Sequence, residues 1–143
     1  VRGVKVYQGD CLEIMPKLAA GSVDLVLCDL PYGTTACKWD TVVSFLPLWE
    51  SYKRLTKGAV VLTASQPFTS AVVQSNLPWF RQSLVWEKTL ASNFMLVKKQ
   101  FSKLHEDILV FSKAQSIYNP QMEEGKPYTD SARKRSVGVH GDL

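Results

Sequence analysis

Apolar positions along the first 113 residues alternate between short β-type runs and helical stripes, which predicts an α/β layered domain. Residues 4–8 alternate and end in the turn Gly9-Asp10, reading as a short strand. Residues 12–19 have helical spacing, with Leu12, Met15 and Leu18 on one face and Pro16 disturbing it, until Gly21-Ser22 breaks the pattern. Residues 23–28, VDLVLC, form a nearly continuous apolar run, as expected of a parallel strand covered on both faces. Residues 41–55 predict a helix with Val42, Phe45, Leu46, Trp49 and Tyr52 along one stripe and Pro47 interrupting its regularity. Residues 58–64, GAVVLTA, read as a second buried strand, and Pro67 suits the first turn of a short helix to Ser75. Residues 83–87 and 107–111 are two further strands, separated by a polar, basic loop over 91–103. After Lys113 the apolar period disappears. Residues 114–143, rich in Ser, Gly, Pro and charge and carrying Arg133-Lys134-Arg135, read as a loop or mobile tail.

The 143 residues fit a single domain, and 45% hydrophobic with 21% charged residues is an ordinary globular balance. No apolar run approaches the ~20 residues needed to span a bilayer, so no membrane is expected. Lys5 interrupts any apolar core of a signal peptide. Cys11, Cys28 and Cys37 lack metal-ligand spacing, and with two histidines no zinc or other metal site is predicted. The cysteines are assigned to the core, and free thiols point to the cytoplasm. Seventeen Lys and Arg against thirteen Asp and Glu leave a charge of +4, compatible with a polyanionic partner but shared by many small enzymes.

Candidate chemistry concentrates in Asp29-Leu30-Pro31-Tyr32-Gly33, at the carboxyl end of a predicted strand, where ligands bind in open α/β sheets. The same residues can also form a plain turn. Their context separates the two readings. Asp-x-Pro-Tyr after VDLVLxD resembles the catalytic signature of DNA amino-methyltransferases. The likeness extends through Gly9-Asp10-Cys11-Leu12-Glu13, Trp39-Asp40, residues 58–64, Trp86-Glu87-Lys88 and the run His105-Glu106-Asp107-Ile108-Leu109-Val110-Phe111. Five motifs in this order resemble the phage and prophage branch of the permuted class, in which the catalytic motif precedes the cofactor motif.

The resemblance implies a partial Rossmann-like methyltransferase fold: a mostly parallel sheet with an antiparallel hairpin at one end. Residues 1–113 would be the catalytic half and 114–143 the start of a target-recognition region. It implies transfer of a methyl group from S-adenosylmethionine to the exocyclic amino group of adenine in double-stranded DNA, as in restriction-modification. Cytosine N4 methylation and a non-catalytic nucleic-acid-binding relic or partner subunit are the alternatives. Asp29 would supply a carboxylate and Leu30 a main-chain carbonyl to the amino group, with Leu30 standing where proline is usual. Pro31 would fix the loop, and Tyr32 would stack on a base taken out of the duplex. Asp10 and Cys11 would contact the cofactor's adenine, although Asp10 also suits a helix N-cap. Lys38, Trp39, Lys88, Lys98, Lys99 and Lys103 are placed for DNA contact, or equally as a solvated charged face. At His105-Glu106 a structural hydrogen bond is expected. The family's glycine-rich cofactor turn comes late in the permuted class, and no Gly-x-Gly occurs in this sequence. In that fold the strand at 4–8 and the one at 23–28 flank two strands absent here. An unpaired apolar edge is therefore expected, to be completed by a second chain, by rearrangement, or by further sequence of which this is a fragment.

Overall fold

A computed structural model describes residues 3–91, 93, 95, 97–122, 124 and 125. Its elements follow the predicted alternation. A one-turn helix α1 (Cys11–Ile14) leads to strand β1 (Val23–Asp29), then α2 (Phe45–Leu55), β2 (Thr56–Ala64), α3 (Phe68–Ser75), β3 (Phe80–Glu87) and β4 (His105–Phe111). The four strands form one sheet in the order β1-β2-β4-β3. β1 and β2 pair in parallel, whereas β4 runs antiparallel to both β2 and β3. Three strands thus point one way, and the predicted antiparallel hairpin occupies one end of the sheet. Counted by ladders, however, one is parallel and two are antiparallel, because β4 inserts between β2 and β3.

Strand alternation divides the sheet into a covered and an open face. On the covered face Val60, Leu62, Ala64, Leu109 and Phe111 pack beneath Leu48, Trp49 and Tyr52 of α2 and Phe68 and Val72 of α3. The Trp49 and Phe111 rings lie 4.8 Å apart, and the Trp49 Nε1–H donates to Ser75 Oγ at 2.7 Å, so the buried indole keeps a partner. No helix among the described residues covers the other face. Leu25 and Leu27 of β1 are 54% and 72% exposed, and Leu84 and Trp86 of β3 also face outward. Among the described residues β1 is thus covered on one face, where the pattern predicts two.

Three other boundaries differ from the pattern. Residues 4–8 form no strand and lie exposed, Val4 at 90% and Val6 at 87%, because an alternating segment without a neighbour gains no ladder. The helix expected over 12–19 ends at Ile14 and tightens into a 3-10 turn at Met15–Lys17, since Pro16 offers no amide hydrogen. The expected start at residue 41 moves to Phe45, which puts Pro47 in the first turn of α2, where the missing donor costs nothing. At the other end of α2 the Arg54 guanidinium donates to the carbonyls of Leu18 and Met15 at 2.9 and 2.6 Å, tying the segment after α1 to the core.

Of the tail, residues 114–122, 124 and 125 contain neither helix nor strand, and Arg133-Lys134-Arg135 lie outside the described residues. No described helix is long and apolar enough to cross a membrane, and no group of His, Cys, Asp and Glu among the described residues could hold a metal ion. Only Cys28 packs against the core; Cys11 and Cys37 are exposed, so the core assignment holds for one of the three.

Candidate active site

All four strands contribute to one end of the open face. β1 and β2 point there together, and their register sets Asp29 beside Thr63. β4 begins and β3 ends at the same place, which pairs Glu106 with Trp86. Asp29 is the last residue of β1 and is exposed. One of its oxygens, Oδ1, accepts hydrogen bonds from the Tyr32 hydroxyl at 3.0 Å and from the Thr63 hydroxyl. No lysine or arginine pairs with Asp29 among the described residues.

The chain then turns inward. Leu30 is 7% exposed and belongs to the core cluster, so its side chain anchors the loop that a proline would otherwise stiffen. Tyr32 is half-buried, with its ring stacked on Phe68 at 5.1 Å and 23°. Burial pushes the Tyr32 phenol up to about 12; the Thr63 hydroxyl opposes this rise and Asp29 adds to it. Tyr32 therefore stays a donor throughout the neutral range.

Asp40 organises the next stretch. Its carboxylate accepts from the Gly33, Thr34 and Thr35 amides at 2.8, 2.9 and 2.7 Å and from the Thr35 hydroxyl at 2.7 Å. Gly33 has φ +68°, and a Cβ there would meet Val42 Cγ2 at 2.8 Å, so the turn excludes larger residues. The Thr35 hydroxyl, followed by the Gly33 amide, holds the Asp40 carboxyl down from 3.8 to about 2, outweighing the opposing effect of burial. A depressed folded value means the stabilisation is fully present above pH 3.8 and is lost as pH falls through about 2. An acid titration of Trp39 fluorescence should show this loosening in the wild type and lack it in Asp40→Asn. Amide exchange at residues 33–35 should already be faster in that variant at neutral pH, by about tenfold or more.

Asp29 stands where two concavities meet. One, of about 260 Å³, is lined by Asp29, Tyr32, Trp39, Trp86, Lys88 and Glu106 among others. The other, of about 460 Å³, is a more apolar basin on the open face, formed by Leu27, Cys28, Asp29, Thr63, Trp86 and Ile108. A third hollow, of about 350 Å³, adjoins the first through Glu106 and includes Ser65, Lys103 and His105.

The sequence-derived candidates divide accordingly. Asp29, Leu30, Pro31, Tyr32, Trp39 and Lys88 come together at the first cleft. Lys88 is turned into it: its ammonium pairs with Glu106 and lies 4.9 Å from the Trp86 ring centroid. Asp10 and Cys11 sit apart from the cleft lining. The Asp10 carboxylate caps α1 through the Leu12 amide at 2.8 Å, while partial burial and the adjacent Asp10 raise the Cys11 thiol. Lys38 is exposed beside Trp39, and Lys98 and Lys99 line a separate shallow depression with Phe101. Thr63, the loop-organising role of Asp40 and the Trp86–Glu106 pairing escape the linear reading, because each depends on strand register or loop closure.

No protein-family profile matches the chain. It is 26% identical over 151 residues to the Type II methyltransferase M1.MboII of Moraxella bovis, covering 97% of this chain and 57% of that protein. Among solved structures, it matches the M1.HpyAVI–SAM complex with 20% identity and a TM-score of 0.60, over 84% of this chain and 62% of that one. A second structure of M1.HpyAVI matches with 19% identity and a TM-score of 0.61, over the same shares. The chain thus spans somewhat under two-thirds of the proteins it matches.

Proposed function

We propose, from the likeness to a Type II methyltransferase and from the site's geometry, that the chain carries the base-binding half of an enzyme that methylates the N6 amino group of adenine in double-stranded DNA. The observation that supports this reading is Asp29 at a strand tip between two hollows, one rimmed by aromatic and polar groups and one mainly apolar.

An exocyclic amino nitrogen is a poor nucleophile, because its lone pair is delocalised into the ring. Asp29 and the Leu30 carbonyl accept hydrogen bonds from its two N–H bonds and draw the lone pair out of conjugation. Tyr32, backed by Phe68, gives the flipped base a flat surface worth ~1–3 kcal/mol of stacking, and the exposed Trp39 and Trp86 rim the same cleft. Stacking offsets the cost of leaving the helix. Exposed Lys38, Lys98 and Lys99 contact phosphates on this reading, while Lys88 serves the cleft through Glu106.

S-adenosylmethionine, when bound, supplies a methyl group on a sulfonium, already a good leaving arrangement. The apolar basin beside Asp29 suits part of such a cofactor, and Asp10 and Cys11 are the residues proposed for its adenine end. The Asp10 carboxylate keeps acceptor capacity for further donors beside the Leu12 amide it caps. A second polypeptide segment or chain completes the site by pairing with the free edge of β1 and covering Leu25 and Leu27. Residues 1–113 then form the catalytic half, and 114–143 open a target-recognition region.

The test is to incubate the protein, with and without the polypeptide completing its sheet, with duplex DNA and methyl-labelled S-adenosylmethionine, and then analyse the nucleosides. N6-methyladenine is expected in the completed protein. Label in N4-methylcytosine would reassign the base. DNA binding with no label in either nucleoside would leave the non-catalytic alternative.

A further inference from the structure

We infer that Thr63 is a positioning residue for this reaction: with Tyr32 it occupies one oxygen of Asp29 and turns the other toward the substrate amino group. The inference rests on the role proposed for Asp29 and adds a residue to it.

A carboxylate at a strand tip rotates readily about its last bond, and its two oxygens are otherwise equivalent. Here they are made unequal. Oδ1 accepts both the Thr63 and the Tyr32 hydroxyl, and no donor among the described residues reaches Oδ2. The two donors come from different parts of the fold. Thr63 is fixed by the parallel ladder that pairs it with Asp29, and its β-branched side chain has restricted χ1 freedom. Tyr32 is fixed by its stack on Phe68. Hydrogen bonds to a charged acceptor are about twice as strong as neutral ones, so together they hold the carboxylate plane. Oδ2 is left to accept the amino hydrogen in a set direction, which alignment-limited chemistry requires.

Thr63 is only half-buried, on the open face, so water could satisfy its hydroxyl. The bond to Asp29 is therefore not needed to avoid an unsatisfied group. Thr63 also lines the apolar basin beside Asp29, but its hydroxyl is directed to the carboxylate, through which it acts.

The experiment compares Thr63→Val, Thr63→Ser and Asp29→Ala in the complete enzyme, with a duplex oligonucleotide and labelled S-adenosylmethionine. Thr63→Val keeps shape and strand propensity, and should lower kcat about 10- to 100-fold with KM for both substrates within about twofold. Thr63→Ser restores the hydroxyl and should return kcat to within about threefold. Wild-type kcat in Thr63→Val, an equal loss in Thr63→Ser, or a loss confined to KM overturns the inference. Should Thr63→Val melt early, Thr63→Ala against Thr63→Ser decides by the same criteria. An active Asp29→Ala removes the underlying reading; an inactive Asp29→Ala with a fully active Thr63→Val removes Thr63 alone.

Discussion

Replacing Asp29 with alanine or asparagine is expected to reduce methyl transfer by about 1,000-fold or more, the scale seen when a pre-aligned electrostatic group is removed. Alanine deletes the acceptor. Asparagine keeps the volume but substitutes a neutral amide whose NH₂ can face the substrate amino group donor to donor. Either change should leave the fold nearly intact. Asp29 is exposed, and its partners Thr63 and Tyr32 both have access to water. Melting temperatures should therefore stay within a few degrees, and DNA affinity within about threefold, because phosphate contacts dominate it. Steady-state methylation, thermal melts and DNA titration on the same preparations check all three. Retention of a tenth of wild-type methylation in Asp29→Ala would remove the proposed role.

How far this site is legible in the sequence depends on what fixes each part. Asp29 follows a run apolar enough to be a strand, and the structure places it at that strand's tip. The same run misleads about burial. VDLVLC carries Leu25 and Leu27 on a face that the described residues leave open, so local pattern records a cover that the described residues do not supply. Residues 4–8 show the same effect: alternation marks a segment that could pair, not one that does. Leu30 stands in the sequence only as a departure from the usual proline, whereas its burial supplies an anchor that only the tertiary packing reveals. In the sequence Lys88 is indistinguishable from the open lysines, and the β3–β4 hairpin sets it against Glu106.

Thr63 escaped for a subtler reason. At the start of the β1–β2 ladder Val23 pairs with Thr56, an offset of 56 − 23 = 33. From Leu25 onward the offset is 59 − 25 = 34, because the register shifts between them. Counting from the first pair would set Asp29 beside Leu62, whose side chain belongs to the covered face. A one-residue slip changes the face that every side chain presents. The irregularity near Asp24 is thus what brings a hydroxyl, rather than a core leucine, to the catalytic candidate.

That irregularity has a steric requirement, and the second large effect follows from it. A Cβ added at Gly58 would lie 2.1 Å from the Asp24 carbonyl oxygen, well inside contact distance and against backbone that cannot rotate away. Gly58→Ala is therefore expected to destabilise the protein by about 3 kcal/mol or more, the upper range for overpacking. For a chain of this size that corresponds to a fall in Tm of roughly 6–12 °C. Gly3→Ala is the control. Nothing lies within 4 Å of its would-be Cβ, so its melt should be unchanged. Gly58 has no left-handed φ, so strain at the alanine's own backbone does not account for the loss. The functional loss in Gly58→Ala should exceed what the unfolded fraction explains. If β1 moves away from β2 to admit the methyl group, Thr63 withdraws from Asp29 and kcat falls in the molecules that remain folded. A variant with wild-type Tm would show that Asp24 and Gly58 are not in close approach in solution. One with a lowered Tm but unchanged kcat per folded molecule would separate the bulge from the placement of Thr63.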